Sequence, residues 1–498
     1  MIRAILFSSL ILAATLANAQ TNWQLKSPAK NKICGASVEE AYKKLNDRTA
    51  KNVIVAVIDI GTDITHEDLK GMIWTNPREI AGNGIDDDHN GYIDDINGWN
   101  FIGGKNGNLL YEATEETRMY QTLRKQWFGR DTTNLKEADS AAFAQFKKAK
   151  KQYIVAQKQR DGDAKSMTTI YNLNQHWFWR QIFHMAAGGK QFDTDIAEAK
   201  EMTVQGAAYN KINVDSQRIA IVGDDPTNPH ERYYGNNEVY TSASTHGTHT
   251  AGIIAAVRNN NIGINGVSND VRIMVLRAVP WGDERDKDIA NAIRYAADNG
   301  ASIINMSFGK YKSPDKSVVD SAIAYATAKD VLFIHSAGNE SKNIDTVNCY
   351  PNPRSSAADA NDSNWIEVGA NGKKKGKKLP ASFSNYGQHA VDIFAPGENI
   401  YATLPGNQYG KESGTSMAGP VVAGVAAIIR AYFPDLSAAE VKSLLVKTAY
   451  KYDGKVRTPG HKKMKVKFST LSVAGGIVDA AAAVDAAKKE KTLISLQK

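Results

Sequence analysis

Three side chains whose types belong together chemically lie far apart in this chain: Asp59, His246 and Ser416. A serine hydroxyl is a weak nucleophile at its own pKa and needs a base beside it. That base in turn needs a carboxylate to fix its tautomer and stabilise the imidazolium. Asp59 closes the apolar run Val53-Ile54-Val55-Ala56-Val57-Ile58, so a buried strand would deliver its carboxylate to the edge of a sheet. His246 stands in Ser244-Thr245-His246-Gly247-Thr248-His249, at the start of a small-residue helix. Ser416 stands in Gly414-Thr415-Ser416-Met417-Ala418-Gly419-Pro420, where a helix start would surround the hydroxyl with N–H groups and a positive dipole end. Singly, each has an ordinary structural reading as a turn residue or an N-cap. Together they spell nucleophile, base and orienting acid. His249 suggests a metal pair with His246, but no third ligand accompanies it and a structural role is expected, as for His66.

A second constellation is Asp86-Asp87-Asp88-His89-Asn90-Gly91-Tyr92-Ile93-Asp94. Asp86, Asp88, Asn90 and Asp94 fall at the oxygen-ligand positions of a calcium loop, with Gly91 at its sharp turn. Asn97 stands where such a loop carries a bidentate Glu. Two readings stay open, a structural calcium site and an acidic solvated turn.

The elements that must position these residues read as alternating strands and helices. Residues 53–58, 272–278, 302–306 and 331–335 are β-rich apolar runs bounded by polar residues or Gly. Helical patterns follow at 286–299, 417–433 and 438–449, the last opened by Ser437 with Glu440 at the capping-box position. The pattern predicts an α/β fold, a doubly wound, mainly parallel sheet with helices on both faces. Residues 105–217 break the rhythm and read as a helical insertion. Within it, residues 141–160 carry Lys147, Lys148, Lys150, Lys151, Lys158 and Arg160 with no acid. Phe143, Phe146, Tyr153 and Ile154 recur there at helical spacing, and Trp177, Phe178 and Trp179 form an aromatic cluster beyond. The basic face is read as solvated, the alternatives being an acidic partner or a membrane surface. The run Lys373-Lys374-Lys375-Gly376-Lys377-Lys378 reads as a solvated turn.

The Asp59 strand, the His-Gly-Thr-His stretch, Ser336-Ala337-Gly338-Asn339 and the block around Ser416 together resemble the subtilisin-like serine proteases, the subtilase family. The resemblance spans roughly residues 36–104 and 218–450. It implies the subtilisin-like α/β fold, with Asp59, His246 and Ser416 as the triad. Asn339 would be the side-chain oxyanion donor beside the Ser416 N–H. It also implies that Ser307, Phe308 and Gly309 pair with an extended substrate, with Ala337 and Gly338 as the opposite wall. No cofactor is needed for such chemistry, although relatives commonly hold calcium. Lys310 stands where many relatives have a second Gly and is expected to charge the cleft rim. Only residues 20–52 precede the first strand, too few for the folded pro-domain many subtilases carry.

The 498-residue chain has 42% hydrophobic and 23% charged residues, an ordinary folded composition. Its net charge of +8 comes without the clustered stripe of a nucleic-acid binder. Residues 1–19 read as a signal peptide, with Arg3, an apolar run and Ala17-Asn18-Ala19 as cleavage site, implying a secreted or periplasmic protein. No other segment reads as a membrane span. With only Cys34 and Cys349, no disulfide scaffold exists, and whether these two pair is left open. The expected organisation is one discontinuous catalytic domain, residues 20–104 and 218–498, carrying the insertion. The expected function is a serine endopeptidase acting on protein or peptide substrates through an acyl-enzyme. The competing reading is a catalytically silent binding or assembly protein whose cleft the insertion blocks.

Overall fold

The structure, a computed structural model, describes residues 22–176, 190–212, 214–354 and 362–497. The proposed leader and the Trp177–Trp179 cluster lie outside them. Nine strands form the central sheet: β1 Val53–Asp59, β2 Gly98–Asn100, β3 Val271–Arg277, β4 Ile303–Met306, β5 Leu332–Ser336, β6 Trp365–Asn371, β7 Ile393–Pro396, β8 Tyr450–Lys451 and β9 Gly476–Ile477. Their spatial order is β8-β9-β7-β6-β5-β4-β1-β3-β2, and every pairing is parallel except β8 with β9.

Strand alternation accounts for a sheet covered on both faces. In β1, Val53, Val55 and Val57 enter one apolar cluster while Ala56 and Ile58 enter the other; β3 repeats this with Ile273 and Val275 against Met274 and Leu276. The order also switches direction at β1, whose neighbours β3 and β4 both come later in the chain. Such a switch opens a crevice at the strand C-terminal ends. Asp59, the last residue of β1, stands there.

Most of residues 105–217, expected to be a helical insertion, are helical: α1 Glu115–Trp127, α2 Glu137–Gln175, α3 Lys190–Tyr209 and α4 Val214–Ile221, the last running past residue 217. The interior of this stretch is aromatic: Phe143 meets Trp127 with ring centroids 5.1 Å apart, and Tyr153 stacks on Tyr120 at 4.5 Å. Ile154, expected on the same stripe, is 52% exposed, because one residue further along a helix turns the side chain away by about 100°.

The core helices are α5 Thr245–Ala255, α6 Asp286–Asp298, α7 Lys316–Thr327, α8 Thr415–Tyr432 and α9 Ala438–Thr448. α5 and α8 pack on one face of the sheet, α6 and α7 on the other. Among the described residues α8 alone is long and apolar enough to cross a membrane, but 83% of it is buried as the central core helix. Ser437 and Glu440 form the expected capping box of α9. Cys34 and Cys349 are both buried and free, so the bridge left open by the sequence is not formed. Burial pushes the Cys34 thiol up to about 11, with Lys375 opposing. Lysines 374, 375, 377 and 378 are exposed, as a solvated turn requires.

Candidate active site

The imidazole and carboxylate meet where β1 ends and α5 begins. His246 Nδ1 lies 2.8 Å from Asp59 Oδ1 and 3.0 Å from Oδ2. Gly247 is what lets the two elements come this close. A Cβ there would sit 1.9 Å from the Gly61 carbonyl oxygen and 3.3 Å from Asp59 Cβ. The Asp59 side chain is buried, whereas that of His246 keeps 26% of its surface open toward the cleft. Burial disfavours the imidazolium, but the Asp59 charge and hydrogen bond outweigh it, with Glu412 adding, and raise the His246 pKa to about 9.

Ser416 is the second residue of α8, where backbone N–H groups have no acceptor within the helix. The α8 entry is held rigidly. Ser336 Oγ donates to the Thr415 carbonyl at 2.8 Å, and Ser307 Oγ donates to the Ser416 carbonyl at 3.0 Å. The Ser416 hydroxyl donates to the Ser307 carbonyl at 3.0 Å. Asn339 Oδ1 accepts from the Thr415 N–H at 2.9 Å and the Thr415 hydroxyl at 3.1 Å. That fixes the amide orientation and leaves its NH₂ group as the free donor of an exposed side chain.

These groups open on one cleft of about 260 Å³, lined by Asp59, His246, Ser307, Phe308, Gly309, Gly338, Asn339 and Ser416 among others. Ala337, expected in a wall, is fully buried and joins an interior apolar cluster, because it continues the β5 ladder through its N–H to Val368. Sequence reasoning missed Trp281, Glu284, Tyr311 and Cys349, which also line the cleft. Glu284 is buried, which raises its carboxyl to about 7 against the opposing charge of Lys310. Acidic residues in a loop carry no periodicity, and only three-dimensional placement reveals them.

Lys310 does not charge the rim. Its side chain is 2% exposed and ion-paired with Glu115 at 3.0 Å and Asp286 at 2.9 Å, because α1 of the insertion places a carboxylate above it. His249 Nε2 bonds the carbonyls of Ile400 and Gly410, and His66 Nε2 that of Gln408. Both histidines hold the hairpin of Ile400–Leu404 and Gln408–Glu412 in place.

In the acidic loop, Glu79, Asp86 and Asp88 offer ligand oxygens within 4.8 Å of one another, and Glu79 Oε2 is buried with no hydrogen-bond partner. That donor set suits a hard divalent cation. Asp94 does not join it: its carboxylate accepts the N–H groups of Gly82, Asn83 and Gly84. Asn90 donates instead to Asp95. The arrangement is therefore not that of a twelve-residue calcium loop.

A doubly wound sheet with a buried carboxylate, an imidazole and a helix-start serine on one cleft at its strand ends defines a class of α/β hydrolytic architecture. A family model described as Subtilase family matches residues 50–469, and the chain belongs to that family of serine endopeptidases. It is 40% identical over 212 residues to a thermophilic serine proteinase of Bacillus sp. (strain AK1), spanning 42% of this chain and 48% of that protein. It is 36% identical to thermitase of Thermoactinomyces vulgaris over 45% of this chain and 73% of that protein. Against subtilisin J of Geobacillus stearothermophilus the figures are 34%, 51% and 65%. The chain thus spans about half the length of the first relative. A solved protease structure from Pseudoalteromonas arctica PAMC 21717 shares the fold, with TM-score 0.50, 22% identity and coverage of 94% of this chain and 98% of that one.

Proposed function

We propose that this protein is a serine endopeptidase in which Ser416 attacks the scissile carbonyl of a protein or peptide substrate. The observation that carries the reading is the Asp59–His246 pair opening on the same cleft as Ser416 and the free Asn339 amide. In the first step the Ser416 hydroxyl leaves the Ser307 carbonyl and passes its proton to His246 Nε2 as Oγ bonds to carbon. Asp59 keeps the imidazole in the tautomer with Nδ1 protonated and stabilises the imidazolium. The Asn339 NH₂ and the Ser416 N–H donate to the oxyanion. His246 then gives its proton to the departing amine, and water releases the acyl group by the reverse sequence. The silent-protein reading loses support because no described residue of the insertion lines the cleft.

The test is hydrolysis of casein by wild type and Ser416→Ala, with loss of at least about a thousandfold expected in the variant. Equal rates in the two would remove Ser416 from the mechanism. Residues 1–19 support export to the periplasm or exterior with cleavage of this leader, read out by cell fractionation and the N-terminal mass; protein that stays in the cytoplasm with Met1 intact would contradict it. Glu79, Asp86 and Asp88 support a structural calcium site outside the chemistry.

A further inference from the structure

Besides Gly338 and Asn339, two segments wall the cleft, and residues 110–118 grip both. The first wall is Ser307, Phe308 and Gly309, followed directly by Lys310. The second is the segment from Val279 to Gly282, with Glu284. The chain entering the insertion zips along this second wall: the Trp281 N–H bonds the Leu110 carbonyl at 2.8 Å, and the Glu112 N–H bonds the Trp281 carbonyl at 2.9 Å. Gly282 permits the approach, since a Cβ there would lie 2.1 Å from the Glu112 carbonyl oxygen.

Lys310 then crosses from the first wall to the second. Its ammonium donates to Glu115 Oε2 at 3.0 Å and to the Glu284 carbonyl at 2.8 Å, and pairs with Asp286 at 2.9 Å. All three N–H bonds of a lysine are thereby used. Arg118 reinforces the node, donating to the carbonyls of Asp283 at 2.8 Å and Glu284 at 3.1 Å and to Glu115 at 2.6 Å. The Glu115 N–H donates to Asp283 Oδ2 at 2.7 Å. Glu115, Arg118 and Lys310 are all buried, so each charge depends on its partners and none can relax into water.

We propose that Glu115 is a positioning residue: with Lys310 it braces the two walls at a fixed separation and so determines how tightly an extended peptide is held. The proposal rests on the peptidase reading. A one-residue substrate reaches only the reacting groups, whereas a longer peptide must lie between both walls. The brace therefore acts on the grip along the chain and not on the chemistry, and the insertion acts on the cleft without entering it.

The experiment compares wild type, Glu115→Gln and Glu115→Ala on a single-residue nitroanilide and on a neutral peptide extended by four residues to its N-terminal side. The proposal expects KM for the extended peptide to rise about tenfold or more. It expects kcat/KM for the short substrate, and the rate of labelling by a fluorophosphonate, to stay within about twofold. Should Glu115→Ala fail to fold, Glu115→Gln, which keeps the volume and a hydrogen bond, carries the comparison. A loss of the same factor on both substrates, or no change on either, would overturn the brace while leaving the peptidase reading intact. A folded wild type that hydrolyses neither substrate would overturn both.

Discussion

At the scale of the residue, the proposed chemistry depends on one proton. In that mechanism His246 is a base only when neutral, yet Asp59 raises its pKa to about 9 from an ordinary 6.5. The kcat/KM profile should therefore rise with pH on the alkaline side of 6.5, reach half its maximum near pH 9 and level off only about a unit above that. A profile already flat from pH 6 upward would contradict the strength of the Asp59 interaction. The same shift has the opposite sign for stability. The Asp59–imidazolium attraction stabilises the fold fully below pH 6.5 and is lost as pH rises through about 9, so this contribution fades where the activity grows. That Asp59, His246 and Ser416 would meet on one cleft was legible because each sits in a local pattern that shows its backbone setting: a strand end and two small-residue helix starts. Lys310 was misread because its partner Glu115 is remote in sequence, and a lone lysine beside glycine carries no sign of a buried carboxylate above it.

At the scale of the element, close approach is what the small residues around the site provide. Alanine in place of glycine inside a helix ordinarily stabilises by up to about 1 kcal/mol. At Gly247 the sign should reverse, because the added methyl meets the Gly61 carbonyl. Gly247→Ala should lower stability by about 1–3 kcal/mol and reduce kcat by about tenfold or more as the imidazole is pushed from Asp59. Thermal melts and rates check both, and a stabilised, fully active variant would show that α5 can shift freely. The acidic loop gives a second prediction at this scale. Excess calcium should raise Tm over excess chelator, and Glu79→Gln should diminish the difference; identical melts would leave the loop as a solvated turn.

Strands β1, β3, β4 and β5 were legible to within a residue or so because they are near-continuous apolar runs. Strand β6 was not. Its sequence Trp365-Ile366-Glu367-Val368-Gly369-Ala370-Asn371 puts a carboxylate in a wholly buried strand. Glu367 is tolerated there because His335, its register partner on β5, meets it at 2.9 Å and the Trp365 indole Nε1–H donates to it at the same distance. A partner across strands cannot be seen from one strand's pattern. The short strands β8 and β9 are legible only as pairing, having too few residues for any period.

At the scale of the whole molecule, the insertion is tied down by charge at both of its feet. At its start, Glu112 pairs with Arg285 and Glu115 with Lys310 and Arg118. At its end, Arg218, fully buried, pairs with Asp224 at 2.8 Å and Asp288 at 2.7 Å, and Asp215 meets Arg285 at 2.9 Å. Both feet stand near the N-terminus of α6, which itself favours carboxylates. Burial raises the pKa of Glu115, but Arg118 and Lys310 outweigh it and hold the carboxyl at about 2. A depressed carboxyl contributes stability above its unfolded value near 4.5 and loses it as pH falls toward 2. Tm should therefore drop steeply across that window, and less steeply in Glu115→Gln. Equal slopes would mean that other carboxylates carry the acid sensitivity. That this stretch is helical was legible from the break in strand–helix alternation; its attachment was not, since buried ion pairs join residues far apart in the chain.

The central claim is that Ser416 is the nucleophile, and intact-mass labelling with a fluorophosphonate tests it most directly. A single adduct is expected on the wild-type protein and none on a folded Ser416→Ala variant. No adduct on a folded wild type, or an adduct that survives the substitution, would contradict it.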